Sequence, residues 1–318
     1  ACGYRPDHTV FDSSVVADIL DVKPLHDINA FHTQPVWVNI WTPADVRSGV
    51  YRGKLSFKSK EGKFAPLDIE LKVSERTLPV PQEWAFWLDL WQNPYAVARY
   101  YQVPLWSAEH FEAMRPILKQ LADAGQKCIT TSIMHHPWGG QTEDPFESMV
   151  MRVKKLDGSW EYDYAVFDKW VEFVMSMGID REINCYSMIP WKLSFRYYDQ
   201  ASDGMKFVDA KVGTPEYRDF WFPFLVDFAR HLKEKGWFEI TTIAMDERPM
   251  DQMQKAIALI HEAEPDFKVA LAGNYHEQIE KEIADYCIAS RQLFPAKVLA
   301  ERRALGKKST VYTCCSEA

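Results

Sequence analysis

The chain has 318 residues and a net charge of −8, with acidic and basic side chains interspersed. That balance excludes the basic stripe of a nucleic-acid binder, and no apolar run reaches the length of a membrane span. Aromatic residues make up 14% of the chain, with 12 Trp and 14 Tyr; most are core filling, and a few are expected to line a site.

A chain this long buries about three quarters of the surface it exposes when unfolded, so it needs no disulfide framework. Six cysteines are present, at positions 2, 128, 185, 287, 314 and 315, and none forms a CxxC. Cys128, Cys185, Cys287 and Cys314 fall in strand-like apolar runs and read as buried free thiols.

The N-terminal part alternates with period two. Val36, Val38 and Ile40 oppose Trp37, Asn39 and Trp41. Leu55 and Phe57 alternate with lysines and Ser56, and Leu67, Ile69, Leu71 and Val73 alternate with charged residues. Ser48-Gly49 and Glu61-Gly62 are turn signals. The pattern predicts an antiparallel β-sandwich-like domain over residues 1–82, too few in strands to close by itself. Leu78-Pro79-Val80-Pro81 reads as a stiff connector. Gly49 to Lys54 resembles a phosphate loop only superficially, because the spacing is short and the surroundings are antiparallel.

From residue 83 onward, helix, glycine and strand recur in order. Ser107 caps a helix with a stripe of Phe111, Met114, Ile117, Leu118 and Leu121. Gly125 ends it before a strand that opens at Cys128. Phe167, Trp170, Val171 and Val174 form the next stripe, and Gly178 precedes a strand from Ile183. Thr214-Pro215 opens a third helix, in which Pro223 is a potential kink, and Gly236 ends it. The run Phe238 to Met245 follows, then strands at residues 268–274, 286–290 and 310–314. With residues 84–90 as the first, seven strands are expected. The alternation predicts an α/β fold over residues 83–318: a (β/α)8 TIM-like barrel lacking its last strand in this chain. A doubly wound sheet is the alternative, disfavoured because no glycine fingerprint follows the first strand. Residues 135–164 read as an inserted hairpin turning at Asp157-Gly158, and residues 190–214 form a second long connection.

In such a barrel the C-terminal strand ends converge on one mouth. They would bring Asp89, Trp91, Gln92 and Asn93, then His135, His136 and Trp138, then Trp191, Asp246 and Glu247, Asn274, Tyr275 and His276, and Arg291. Amides and charges with aromatic faces suit a polyhydroxylated ligand. Asp246 and Glu247 stand out because they end a buried run just before a proline, and paired carboxyl groups are the usual equipment for cleaving a glycosidic bond. Adjacency alone is weak: Glu143-Asp144 is another acid pair, in a solvated loop. His135 and His136 are weighed as metal ligands and set aside, since strand neighbours point apart and no third ligand stands at a standard spacing. No metal and no cofactor is expected. Trp138 and Trp191 serve equally as rim packing or as sugar platforms.

The runs Leu88-Asp-Leu-Trp-Gln-Asn-Pro94, Met134-His-His-Pro-Trp-Gly139, Ile189-Pro-Trp191, His231-Leu-Lys-Glu-Lys-Gly-Trp237 and Met245-Asp-Glu-Arg-Pro249 resemble glycoside hydrolase family 123. The resemblance covers residues 83–318, and the preceding β-region is similar to the family's N-terminal sandwich. It implies a retaining exo-β-N-acetylgalactosaminidase in which the substrate's own acetamido group attacks the anomeric carbon. Asp246 would then stabilise the oxazolinium, and Glu247 would serve as general acid/base. Both are expected to turn toward the mouth through a distortion of the strand end. Trp138, Trp191, Asn274, Tyr275, His135 and Asp89 are candidate sugar contacts. The implied partner is a glycan or oligosaccharide, with no nucleic acid and no membrane span, and the implied location is periplasmic or secreted. Two other readings remain: a glycosidase with an enzyme nucleophile such as Asp89, and a carbohydrate-binding barrel without turnover.

Overall fold

A computed structural model of the protein describes residues 26–313, and Cys2, Cys314 and Cys315 lie outside them. The chain divides between Pro79 and Val80 into two compact units.

The first unit holds two small antiparallel pairings. β1 (Gly49–Leu55) pairs with β4 (Leu67–Val73), with Gly49 opposite Val73 and Leu55 opposite Leu67. Between them β2 (Lys58–Ser59) and β3 (Gly62–Lys63) form a short hairpin over the expected Glu61-Gly62 turn. Cross-strand ion pairs, Arg52 with Glu70 and Lys54 with Asp68, decorate the larger ribbon. The expected strand at Val36–Ile40 is not formed: these residues lie outside any strand, and Trp37 is 75% exposed. An alternating pattern alone does not make a strand without a ladder partner, so a sandwich is not seen among the described residues.

The second unit is a mixed α/β fold around a parallel six-stranded half-barrel sheet. Its helices and strands alternate as α1 (Pro94–Tyr101), α2 (Ala108–Asp123), β5 (Cys128–Ser132), β6 (Met151–Lys154), β7 (Trp160–Asp163), α3 (Ala165–Ser176), β8 (Glu182–Tyr186), β9 (Ser194–Asp199), β10 (Gly204–Asp209), α4 (Pro215–Lys235), β11 (Thr241–Met245), α5 (Met250–Ala263), β12 (Lys268–Gly273), β13 (Ile283–Ala289), α6 (Ala296–Ala304) and β14 (Lys308–Tyr312). The half-barrel runs β5-β8-β11-β12-β13-β14, all parallel and in strict chain order. Among the described residues the winding does not reverse, so they hold no switch point of a doubly wound sheet. Residues 84–90, expected as the first strand, contribute one parallel bridge, Leu88 to Gln126. Phe238–Ile240, expected as strand, is a single 3-10 turn ahead of β11.

The caps explain the helix boundaries. Ser107 accepts from the His110 N–H at 3.2 Å and Thr214 from the Tyr217 N–H. Gly236 closes α4 in the left-handed conformation, φ 73°. The α3 stripe of Phe167, Trp170, Val171 and Val174 is fully buried as expected; on α2, Ile117 points outward and is exposed. β5, β8 and β11 are buried throughout, as befits strands covered on both faces.

The two long connections build one further sheet, in the order β10-β9-β6-β7. The hairpin turning at Asp157-Gly158 is present as expected. The inner face of this sheet lies on α4: Trp160 meets Phe220 and Tyr162 meets Phe224, edge to face. Arg152 is buried there, its guanidinium 4.0 Å from the Phe224 ring and donating to the Ile133 carbonyl at 2.6 Å.

Candidate active site

β11 supplies the two acids. Its last ladder residue is Met245, opposite Leu271 of β12, so Asp246 and Glu247 lie beyond the pairing, where the chain no longer alternates as a regular strand. Asp246 Oδ2 accepts the Trp191 indole N–H at 3.2 Å, and Oδ1 accepts the Glu247 backbone N–H at 2.7 Å. Glu247 Oε1 accepts the Tyr312 hydroxyl at 2.6 Å. Each carboxylate is thus held by a ring from another strand end: Trp191 follows β8, and Tyr312 ends β14.

Arg248 ties this corner together. Its Nε donates to the Ile189 carbonyl at 2.9 Å, and its guanidinium lies 4.1 Å over the Trp191 ring. Partial burial lowers its pKa, while the charges of Asp246 and Glu247 oppose that shift. Gly273 lets the two strand ends approach closely, because a Cβ there would stand 3.1 Å from Glu247 Cγ. Beside Glu247 opens a cavity of about 260 Å³, lined by Glu247, Arg248, Pro249, Met253, Leu271, Asn274 and His276. Asp246 is not among its lining residues.

The other expected site residues divide. Asn274 reaches the cavity, with its Oδ1 accepting from Gln292 at 2.7 Å. Trp191 is 48% exposed at the rim. Tyr275 packs on Tyr286 and Phe294 instead of opening to the cavity. Trp138 is only 5% exposed, its ring against Trp91, Tyr186 and Phe146, so it forms a floor; the exposed ring above it is Trp91. His135 lies in the loop after β5 and shares a proton contact with Glu147 at 2.8 Å, to which Arg196 also donates at 2.7 Å. Asp89 lies beneath the mouth: Asn184 donates to it at 3.2 Å and Gln126 at 3.4 Å, with a further hydrogen bond from the Trp91 indole. Burial, and then the nearby Asp285, raise its pKa to about 7.

Two groups of ligating side chains lie close together among the described residues, each with donor atoms within 4.8 Å. In the first, His135 and His136 do not point apart as strand neighbours would. A left-handed turn at His136, φ 51°, folds the rings into a stack at 3.7 Å. Stacked rings send their in-plane lone pairs side by side, not to one point, and Glu147 is already engaged by His135 and Arg196. The second group, Cys128, Glu182 and Asp285, is buried at the base of the sheet. Lys308 Nζ stands 3.3 Å from Glu182 Oε2. Glu182 Oε1 and Asp285 Oδ1 have no other partner, and one proton held between them would satisfy both. Burial raises both acids, and Asp285 pushes Glu182 further up.

Tyr312 and Arg248 carry much of the geometry, and neither was singled out from sequence. Period-two reading of β14 places Lys308, Thr310 and Tyr312 on one face, which was the available signal for the tyrosine.

Comparison with known proteins shows the family. Residues 91–318 match the glycoside hydrolase 123 catalytic domain, and residues 1–59 match the glycoside hydrolase 123 N-terminal domain. No curated protein matches the chain. A solved family 123 glycoside hydrolase from Clostridium perfringens, described for glycolipid glycan hydrolysis, is similar in fold, with a TM-score of 0.79 and 30% identity. The match covers 86% of this chain and 51% of that one, so the chain spans about half the relative's length. The chain belongs to glycoside hydrolase family 123.

Proposed function

We propose that the protein releases terminal β-linked N-acetylgalactosamine from glycans with retention, by attack of the substrate's 2-acetamido group. The carbonyl oxygen bonds to the anomeric carbon as Glu247 gives its proton to the departing oxygen. Asp246 holds the acetamido N–H and balances the charge of the oxazolinium. Glu247 then takes a proton from water, which attacks the anomeric carbon and reopens the ring.

One observation carries this reading over an enzyme nucleophile: the adjacent acids stand at one strand end, while Asp89, the alternative nucleophile, is sunk under the mouth and held by Gln126 and Asn184. The glycan-cleaving relative supports a glycan substrate. The strict winding order also supports reading the half-barrel as part of a (β/α)8 barrel.

The test compares a nitrophenyl N-acetyl-β-galactosaminide with its 2-hydroxy analogue. Substrate assistance requires cleavage of the first and none of the second, and equal rates on both would remove the acetamido mechanism.

A further inference from the structure

Trp91 and Asp89 are two residues apart just after the Leu88 bridge, and the Trp91 indole hydrogen-bonds the Asp89 carboxylate. Trp91 is 44% exposed, and its ring rests on Tyr186 at 4.8 Å and on buried Trp138 at 5.1 Å. A large ring that is backed by two others yet open on its far side is a stiff apolar face at the mouth. Below it, Asp89 sits at the head of a polar chain. Asn184 Nδ2 donates to Asp89 at 3.2 Å, and the Thr242 hydroxyl donates to Asn184 Oδ1 at 2.6 Å. Gln126 donates to Asp89 from the side and, through its Oε1, accepts the Leu90 N–H at 2.9 Å, which fixes the backbone between the two residues.

We propose that Trp91 is the aromatic platform for the sugar ring and that Asp89 is its positioning residue, acting from below without touching substrate. The proposal rests on the glycosidase reading above and names, for that same mouth, the ring that meets the sugar and the acid that holds the ring. The groups facing Asp89 are Asp285 and Cys287 on β13, Cys128 on β5 and Tyr186 on β8, with Glu182 and Lys308 beyond them. Burial first, and then the nearby Asp285, disfavour the charge on Asp89, which forms only as pH rises. As it forms, the carboxylate pulls harder on the indole N–H and on Asn184, and the platform is held differently.

The experiment measures kcat/KM from pH 5 to 9, together with calorimetric binding of N-acetylgalactosamine-thiazoline, for the wild type, Trp91→Ala, Trp91→Phe and Asp89→Asn. Trp91→Ala is expected to weaken thiazoline binding and kcat/KM about tenfold, the size of a lost ring stack, and Trp91→Phe to restore most of the loss. Asp89→Asn, neutral at every pH, is expected to match the wild type near pH 5.5 and to diverge above pH 8, removing an inflection near 7. A constant ratio across pH would make Asp89 structural only, and wild-type binding by Trp91→Ala would dismiss the platform. If Glu247→Gln loses hydrolysis while the Trp91 variants keep it, the platform fails and the glycosidase reading stands. A wild type that binds thiazoline without hydrolysing any glycoside would sink that reading and leave the platform to be judged by binding. A wild type that neither binds nor hydrolyses would overturn both.

Discussion

Tyr312 donates to Glu247 Oε1 at 2.6 Å, and Trp191 donates to Asp246 Oδ2 at 3.2 Å. A side-chain hydrogen bond is worth about 0.5–1.5 kcal/mol, so removing the tyrosine hydroxyl should lower kcat by about 2- to 10-fold. Tyr312→Phe keeps the ring, so its melting temperature should stay near the wild type; an unchanged kcat would show that the hydroxyl does not orient Glu247. The position of the two acids at the end of β11 was legible in the sequence, because they follow a buried run before Pro249. Their partners were less so. Tyr312 follows Glu247 by 65 residues, and only the parallel sheet brings them together. Trp138 illustrates the converse. A tryptophan in a loop after a strand end reads as a platform, but its burial depends on Trp91 and Tyr186 closing over it, which no local pattern encodes.

At the scale of elements, helix ends were the most readable feature, because caps and left-handed glycines are local chemistry. Two of these glycines differ in a useful way. Gly236 has φ 73° with open space around its α-carbon, whereas Gly125 has φ 86° and a Cβ there would stand 2.8 Å from Trp84 Cε3. Alanine at Gly236 therefore meets only the backbone penalty, about 1 kcal/mol, or a fall of about 2–4 °C in melting temperature. Alanine at Gly125 adds a clash with a half-buried ring and should cost distinctly more. Equal losses in the two variants by thermal denaturation would count against the Trp84 contact. Strands were harder to read. Val36–Ile40 and residues 84–90 have the composition of strands, yet the first has no ladder and the second a single bridge. Strand formation needs a partner, and pairing is long-range information. The β10-β9-β6-β7 sheet was half visible, since its turn at Asp157-Gly158 is local and its parallel join of β6 to β9 is not.

For the whole molecule, the polar base of the half-barrel sets the response to pH. Asp89, Glu182 and Asp285 all have raised pKa values, chiefly through burial. The folded chain keeps protons that the unfolded chain releases near pH 4, so stability is full below that value and is lost as pH rises through the folded values. His110 and His136, lowered by burial, act oppositely, but only around and below their ordinary value near 6.5. Above about pH 6.5 the histidines no longer oppose the acids, and the melting temperature should decline as pH approaches the raised value of about 7 at Asp89. Glu182→Gln removes one of them and should flatten that decline, by up to about 1.4 kcal/mol per pH unit. Parallel melting curves for the two proteins across the whole range from about pH 5 to 9 would show that Glu182 holds no such proton.

The most direct test of the two-carboxylate mechanism is the dependence of Glu247→Gln on leaving group. A residue that protonates the departing oxygen matters most when that oxygen is a poor leaving group. Measured as kcat/KM on an alkyl and on a dinitrophenyl N-acetyl-β-galactosaminide, Glu247→Gln should lose orders of magnitude on the first and far less on the second, while Asp246→Asn loses similarly on both. Equal losses on the two substrates for Glu247→Gln, or none, would contradict the assignment.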